Sequence, residues 1–349
     1  MPNKPLGPVV ADIEGIELSQ CDREVLLHPQ LGGLIFFSRN YHSREQLKGL
    51  VRCIREVRPE LLLTVDHEGG RVQRFRDGFT HVPAMGRLRE LLQVDEYQCL
   101  KVAQCFGAVL ASELLDCDID LSFTPVLDLD EEQSRVIGDR AFSSNADHVV
   151  RLAGAFIEGM HSAGMVATAK HFPGHGGVIE DSHLELPIDN RGFDTIWNRD
   201  CRPFATLADK YQAVMTAHVV FPDVDDQPVS FSNVWIQDIL RQKVGFTGVV
   251  FSDDLSMKGA AGIGDMTARA LKSLSAGCDA VLICNVRDEA ERCLEDLEKQ
   301  EFRALVPGRL SALTSRHSTN KIGSHIENAV TEDLSALKAR AEHYMNKYF

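Results

Sequence analysis

The sequence predicts an α/β fold of the (β/α)8 TIM-barrel type. Three observations point there. Eight short runs rich in apolar and β-branched residues recur along the 349-residue chain. Each is continuously apolar rather than alternating, which is the pattern of strands covered on both faces and hence of a parallel sheet. Segments with helical periodicity separate the runs, as crossovers between parallel strands require.

The runs are 8–12, 33–37, 61–66, 118–123, 165–169, 213–217, 248–251 and 279–284. The first clear helix, 43–57, opens with Ser43 and Gln46 at capping-box spacing and carries Leu47, Leu50 and Ile54 on one face. Helical segments 95–115, 147–163, 234–241, 265–276 and 288–300 follow, the last so rich in Glu, Lys and Arg that it reads as a solvated face. Residues 331–348 read as one more amphipathic helix, docked outside the barrel. An open doubly wound sheet is the alternative. It calls for a glycine-rich turn after the first strand, and the sequence there, ADIEGIEL, has no G-x-G-x-x-G. No low-complexity linker or internal repeat divides the chain, so residues 1–349 read as one barrel domain with a C-terminal helical tail.

Composition narrows the class of function. A hydrophobic content of 44% and a charged content of 25% suit a soluble globular protein. The net charge of −14, from 37 basic and 51 acidic side chains, argues against nucleic acid or an anionic membrane as the main partner. Nine cysteines, an odd number without a C-x-x-C pair, read as reduced thiols, mostly in the core. No basic-then-apolar leader and no run of about 18 apolar residues is evident, so a cytoplasmic location is expected.

Polar residues follow the strands. Arg39 and Asn40 come after the second run, Asp66 after the third, and Asp128 just beyond the fourth. Lys170 and His171 follow the fifth, His218 the sixth, Asp253 and Asp254 the seventh, and Asn285 the eighth. In a barrel these ends converge on one mouth, where active sites sit. So many charges at one rim pack badly unless a polar ligand uses them.

The densest stretch is KHFPGHGGVIEDSH, from Lys170 to His183, read as a loop entered from the run 165–169. Asp66, with Arg71 and Arg74 beyond a Gly-Gly turn, can form a local salt bridge. It can equally offer a carboxylate to neighbouring sugar hydroxyls, with the arginine fork donating beside it. Asp253 and Asp254 point to opposite sides of their strand, and parity alone does not say which faces the axis. His171, His175, Asp181 and His183 could ligate a metal, but Phe-Pro-Gly breaks the helix that i, i+4 ligation between the first two would use, and no His-x-His ends the first strand. Asp181 stands two residues before His183. A carboxylate beside an imidazole favours its protonated form and orients it, which makes the pair a candidate proton-transfer dyad.

The segments DHEGGRVQRF, IGDRAFSS, KHFPGH followed by DSH, TAHVVFP and FSDDLSM together resemble the glycoside hydrolase family 3 enzymes, and most of all their single-domain bacterial β-N-acetylglucosaminidases of peptidoglycan recycling. The resemblance runs from about Gly7 to Ile283. It implies a barrel that removes a non-reducing terminal β-linked N-acetylglucosamine (GlcNAc) with retention. Asp253 would be the nucleophile, and His183, held by Asp181, the general acid/base. The family's sugar-binding residues carry over to Asp66, Arg74, Arg140, Lys170 and His171, with His218 behind them. The implied substrate is a small oligosaccharide, a GlcNAc-1,6-anhydro-N-acetylmuramoyl (anhydroMurNAc) peptide. No metal, cofactor, nucleic acid or membrane is implied, and a monomer is expected. Glycines 174, 176 and 177 would let the loop close over the sugar. One departure stands out: an Asp is expected after the Gly-His-Gly, and Gly177 is found. Two other readings stay open, a substrate-assisted hexosaminidase and a non-catalytic sugar-binding barrel.

Overall fold

The computed structural model describes residues 6–131, 134, 136–179, 185–302, 308–314 and 333–349. Eight strands appear in the predicted order: β1 (Val9–Ala11), β2 (Leu31–Phe36), β3 (Leu62–Val65), β4 (Leu121–Ser122), β5 (Thr168–Phe172), β6 (Ala213–Thr216), β7 (Val249–Asp254) and β8 (Ala280–Leu282). They pair in parallel in the spatial order β4-β3-β2-β1-β8-β7-β6-β5. The ring closes between its two ends. Thr168 N–H donates to the Thr124 carbonyl (2.9 Å), Lys170 N–H to Pro125 (3.2 Å), and Leu127 N–H to Lys170 (2.7 Å). Pro125 has no N–H to give a ladder, so β4 is short and its continuation pairs irregularly.

Two strands run further than their apolar residues suggest. β5 includes Lys170 and His171, and β7 includes Asp253 and Asp254. Lys170 and His171 thus stand on strand backbone, not in the loop expected from Lys170 onward, while Asp253 and Asp254 stand at the strand end, as expected. β4 is shorter than expected. Asp118 has a left-handed φ of 58°, and the Asp120 carboxylate accepts the Leu63 N–H (2.9 Å) and an Arg55 N–H (2.7 Å). That segment is therefore a polar tie at the foot of the barrel.

The helices that wrap the ring are α1 (Gln20–Leu26), α2 (Arg44–Val57), α3 (Leu88–Val94), α4 (Glu96–Leu115), α5 (Ala146–Ser162), α6 (Phe193–Asn198), α7 (Cys201–Thr206), a π-wound helix Val234–Lys243, α8 (Met266–Ala276), α9 (Arg287–Lys299) and α10 (Leu334–Tyr348). Ser43 caps α2 as its spacing predicts, accepting the Gln46 N–H. The Gln46 side chain, however, accepts from His42 N–H (2.8 Å), one residue before the position that a capping box requires. Asp95, Asn145 and Asp265 cap α4, α5 and α8 through the same side-chain-to-backbone bond. The tail helix α10 buries Leu337 and Ala341 against α4, and Lys338 pairs with the buried Glu113 (2.7 Å). All nine cysteines are free thiols, seven of them buried. Among the described residues no helix is long and apolar enough to cross a membrane.

Candidate active site

A cavity of about 380 Å³ opens at the C-terminal ends of the strands, and Asp66, Arg74, Arg140, Lys170, His171 and Asp253 all line it. Six residues spread over nearly two hundred positions of sequence thus meet at one mouth, because parallel strands deliver their carboxyl ends to the same face. Asp181 and His183 lie outside the described residues.

The floor is a buried ion network. Lys170 is 2% exposed, and its ammonium lies 2.8 Å from Asp66 and 2.6 Å from Glu68. Arg140 grips Glu68 with two parallel bonds, Nε to Oε2 (2.9 Å) and a terminal nitrogen to Oε1 (2.8 Å). Arg74 reaches Asp66 at 3.4 Å. Burial alone would push the Asp66 carboxyl up, but Lys170 and Arg74 outweigh it, and the group is held below the usual carboxylate range. Glu68 is likewise held down, because Arg140 and Lys170 outweigh its burial. Both acids are therefore anions at neutral pH. Asp66 keeps its salt bridge to Arg74 and also lines the cavity.

Glu68 escaped the sequence reading. It stands two residues after Asp66, and i, i+2 positions in extended chain share a face. That spacing of two acids is the available signal, but the cations that make sense of it, Arg140 and Lys170, lie far along the sequence.

His171 is oriented from behind. The buried Asp128 accepts from its Nδ1 (2.7 Å) and from the backbone N–H groups of His171 (3.2 Å) and His175 (2.8 Å). With Nδ1 committed, Nε2 is the ring's remaining polar atom toward a ligand. Burial works to raise the Asp128 carboxyl, and the two histidines more than reverse it. His175 is buried beside His171, and burial, together with that neighbour, holds its imidazole down to about 4.

The two acids of β7 separate in role. Asp253 Oδ1 accepts the Asp254 N–H (2.8 Å), and both residues line the cavity. Asp254 is tied back into the protein. It accepts the Ser256 hydroxyl (2.7 Å), the Ser256 N–H (3.0 Å) and the Cys284 N–H (3.1 Å). Burial pushes its carboxyl up to about 6 in spite of those bonds. His218 sits behind, stacked on Phe231 with ring centroids 5.7 Å apart. Of the other strand-end residues, Asn285 lines the cavity. Arg39 is pinned to Asp12 (2.6 Å) and to Asn285 (2.7 Å). Asn40 is fully buried and donates to the Ile13 and Gly15 carbonyls, a fold-holding role outside the site.

The glycines after β5 serve close packing. A Cβ on Gly176 would stand 1.7 Å from the Leu129 carbonyl oxygen, and one on Gly177 2.1 Å from the Arg191 guanidinium. Arg191 is itself gripped by Asp189 (2.6 Å) and Asp200 (3.0 Å). A side chain at position 177 would require the tip of Arg191 to shift from its place between Asp189 and Asp200.

One neighbour of the floor carries a pH prediction. His67 packs against Phe75 and Phe79, at centroid distances of 5.8 and 5.6 Å, and burial, with Arg74 and Arg76, holds its imidazole down to about 3. An imidazole depressed below its unfolded value of 6.5 contributes stability that is complete above pH 6.5 and is lost as the pH falls toward 3. His67→Phe should therefore flatten the decline of Tm below pH 6.5 while changing Tm little at pH 8. A mutant whose acid limb overlays that of the parent would refute the assignment.

Comparison with known proteins places this geometry. The model of the glycosyl hydrolase family 3 N-terminal domain matches residues 9–306. Over 301 residues, 85% of this chain and 86% of the other, the sequence is 53% identical to a β-hexosaminidase of Actinobacillus succinogenes. It is 47% identical over 323 residues, 92% of each chain, to a β-hexosaminidase of Methylobacillus flagellatus. Native NagZ from Neisseria gonorrhoeae superimposes with a TM-score of 0.87 at 41% identity, covering 98% of this chain and 99% of that one. The Neisseria protein has also been crystallised with N-trifluoroacetyl-D-glucosamine. With the family model over most of its length and relatives at about half identity, this chain belongs to glycosyl hydrolase family 3.

Proposed function

We propose that the chain is a retaining β-N-acetylhexosaminidase that removes terminal β-linked GlcNAc from cytoplasmic peptidoglycan fragments, the GlcNAc-1,6-anhydroMurNAc peptides, as one catalytic barrel domain acting without metal or cofactor. The observation that carries this reading is the Asp253 carboxylate on the wall of a cavity whose floor is the Lys170–Asp66–Glu68–Arg140 network. The names of the relatives at about 50% identity support the class of reaction.

Asp253 attacks the anomeric carbon as the glycosidic C–O bond breaks, and His183 gives its proton to the departing oxygen. His183 then takes a proton from water, which attacks the same carbon and releases Asp253. Asp181 holds the imidazole and raises its proton affinity, so that it can act as an acid near neutral pH. Asp66 accepts hydrogen bonds from sugar hydroxyls, while Lys170 and Arg74 fix its charge and geometry and Arg140 holds the neighbouring Glu68. His171 offers its oriented ring to the substrate. Binding costs little reorganisation, because the floor residues already hold one another in place.

The test is covalent trapping. A 5-fluoro GlcNAc donor with a good leaving group should load one sugar per chain, and peptide mass spectrometry should place it on Asp253. An unlabelled protein that is inhibited instead by a thiazoline mimic of the oxazolinium ion would favour the substrate-assisted route.

A further inference from the structure

We infer that Asp254 is a positioning residue, the centre of a clamp that aims the Asp253 carboxylate at the cavity. This inference rests on the reading of Asp253 given above.

The clamp is visible bond by bond. The N–H of residue 254 donates to Asp253 Oδ1 (2.8 Å), so the orientation of this one peptide sets the direction of the neighbouring carboxylate. The carbonyl of Asp254 accepts the Met257 N–H (3.1 Å) and lies 3.1 Å from His218 Nε2. A carbonyl can only accept, so this contact places the His218 proton on Nε2. The Asp254 side chain reaches across the turn to Ser256, through both the hydroxyl and the N–H, and across the seam to the Cys284 N–H after β8. Every polar group of residue 254 is thus engaged, by partners from three strand ends. The barrel ladder takes over directly below, where Asp254 pairs with Leu282 and the Leu255 N–H donates to the Leu282 carbonyl (2.9 Å).

A buried carboxylate that only needed satisfying could have been an apolar side chain instead. What the carboxylate does here is stop the last peptide of β7 from rotating, and the N–H of that peptide holds Oδ1 of the Asp253 carboxylate. Displacing a reacting atom by about 1 Å costs on the order of 100-fold in rate.

The experiment measures kcat and KM on a chromogenic β-N-acetylglucosaminide for Asp254→Ala, Asp254→Asn and Ser256→Ala, with Asp253→Ala alongside. Rates are expressed per folded molecule by circular dichroism. Asp254→Ala should lower kcat about 100-fold and leave KM within about 3-fold. Asp254→Asn keeps an oxygen for the two N–H donors and should recover most of that loss. Wild-type kcat in folded Asp254→Ala would overturn the clamp. So would Asp254→Asn as slow as Asp254→Ala, since charge rather than placement would then matter. If Asp254→Ala does not fold, Ser256→Ala decides. It removes one clamp bond, and a kcat lowered about 5-fold at constant KM supports the inference, whereas an unchanged kcat defeats it. Wild-type activity in Asp253→Ala would sink the reading of Asp253 itself and is seen separately.

Discussion

Asp253→Asn should retain the fold and lose about 10,000-fold or more in kcat on a chromogenic β-N-acetylglucosaminide in excess EDTA. The substitution is nearly isosteric. Its amide can present an oxygen to the Asp254 N–H, so the local hydrogen bond survives. What disappears is the lone pair of an anion aimed into the cavity. A neutral amide oxygen is too weak a nucleophile to form the glycosyl ester, and it does not stabilise the positive charge that develops at the anomeric carbon. The floor network is unaffected, so inhibition constants for GlcNAc should stay within a few-fold of the parent. Retention of more than a tenth of the parent kcat would transfer the nucleophile's role elsewhere, Asp254 or the substrate's own acetamido group being the alternatives on hand. EDTA in both arms separates this from any dependence on metal.

The second large effect is expected at Lys170, and it falls on stability and activity together. Lys170→Met keeps the length and the apolar stem, and deletes only the ammonium between two carboxylates. Glu68 would keep its paired bonds to Arg140, but Asp66 would be left with Arg74 at 3.4 Å. Removing one partner of a buried pair costs about 3–5 kcal/mol, and the surviving arginines place this case near the lower end. Urea unfolding should show the midpoint falling with an unchanged m value. The pH dependence gives a second signature. With Lys170 present, Asp66 and Glu68 are held below their unfolded values, so they contribute stability above pH 4 that is lost as the pH falls. The mutant should have a shallower acid limb, since burial then raises Asp66 with less to oppose it. On activity, kcat/KM should fall about 1,000-fold through lost sugar contacts and a misplaced Asp66. Parental stability and activity in this mutant would dismiss the network as incidental.

Much of this was legible beforehand, for physical reasons. Strands covered on both faces must be apolar throughout, so the eight runs and their order could be read directly. Their ends were less readable. Lys170 and His171 are polar because they face a cavity, yet they sit on β backbone, where their polarity reads as loop. The identities of the cavity residues came through because strand ends converge. Glu68 and the backing role of Asp128 did not, since their meaning depends on partners remote in sequence. Nor does the sequence around Gly177 show that the Arg191 guanidinium stands beside it, held there by Asp189 and Asp200.

The seam between β4 and β5 has a further consequence. Seven junctions of the ring are parallel ladders, three of them with a register shift, and the eighth is made by a few bonds around Pro125 and Lys170. Lys170 belongs to both systems: its backbone bonds stitch the ring shut, and its side chain is the hub of the charged floor. Closing the barrel and placing the Lys170 ammonium in the cavity floor are therefore one event. A half-open ring can have nearly all of its helices and most of its sheet, and it still lacks a placed ammonium. Turnover in a refolding sample thus reports completion of the circle, and the return of helical signal alone does not.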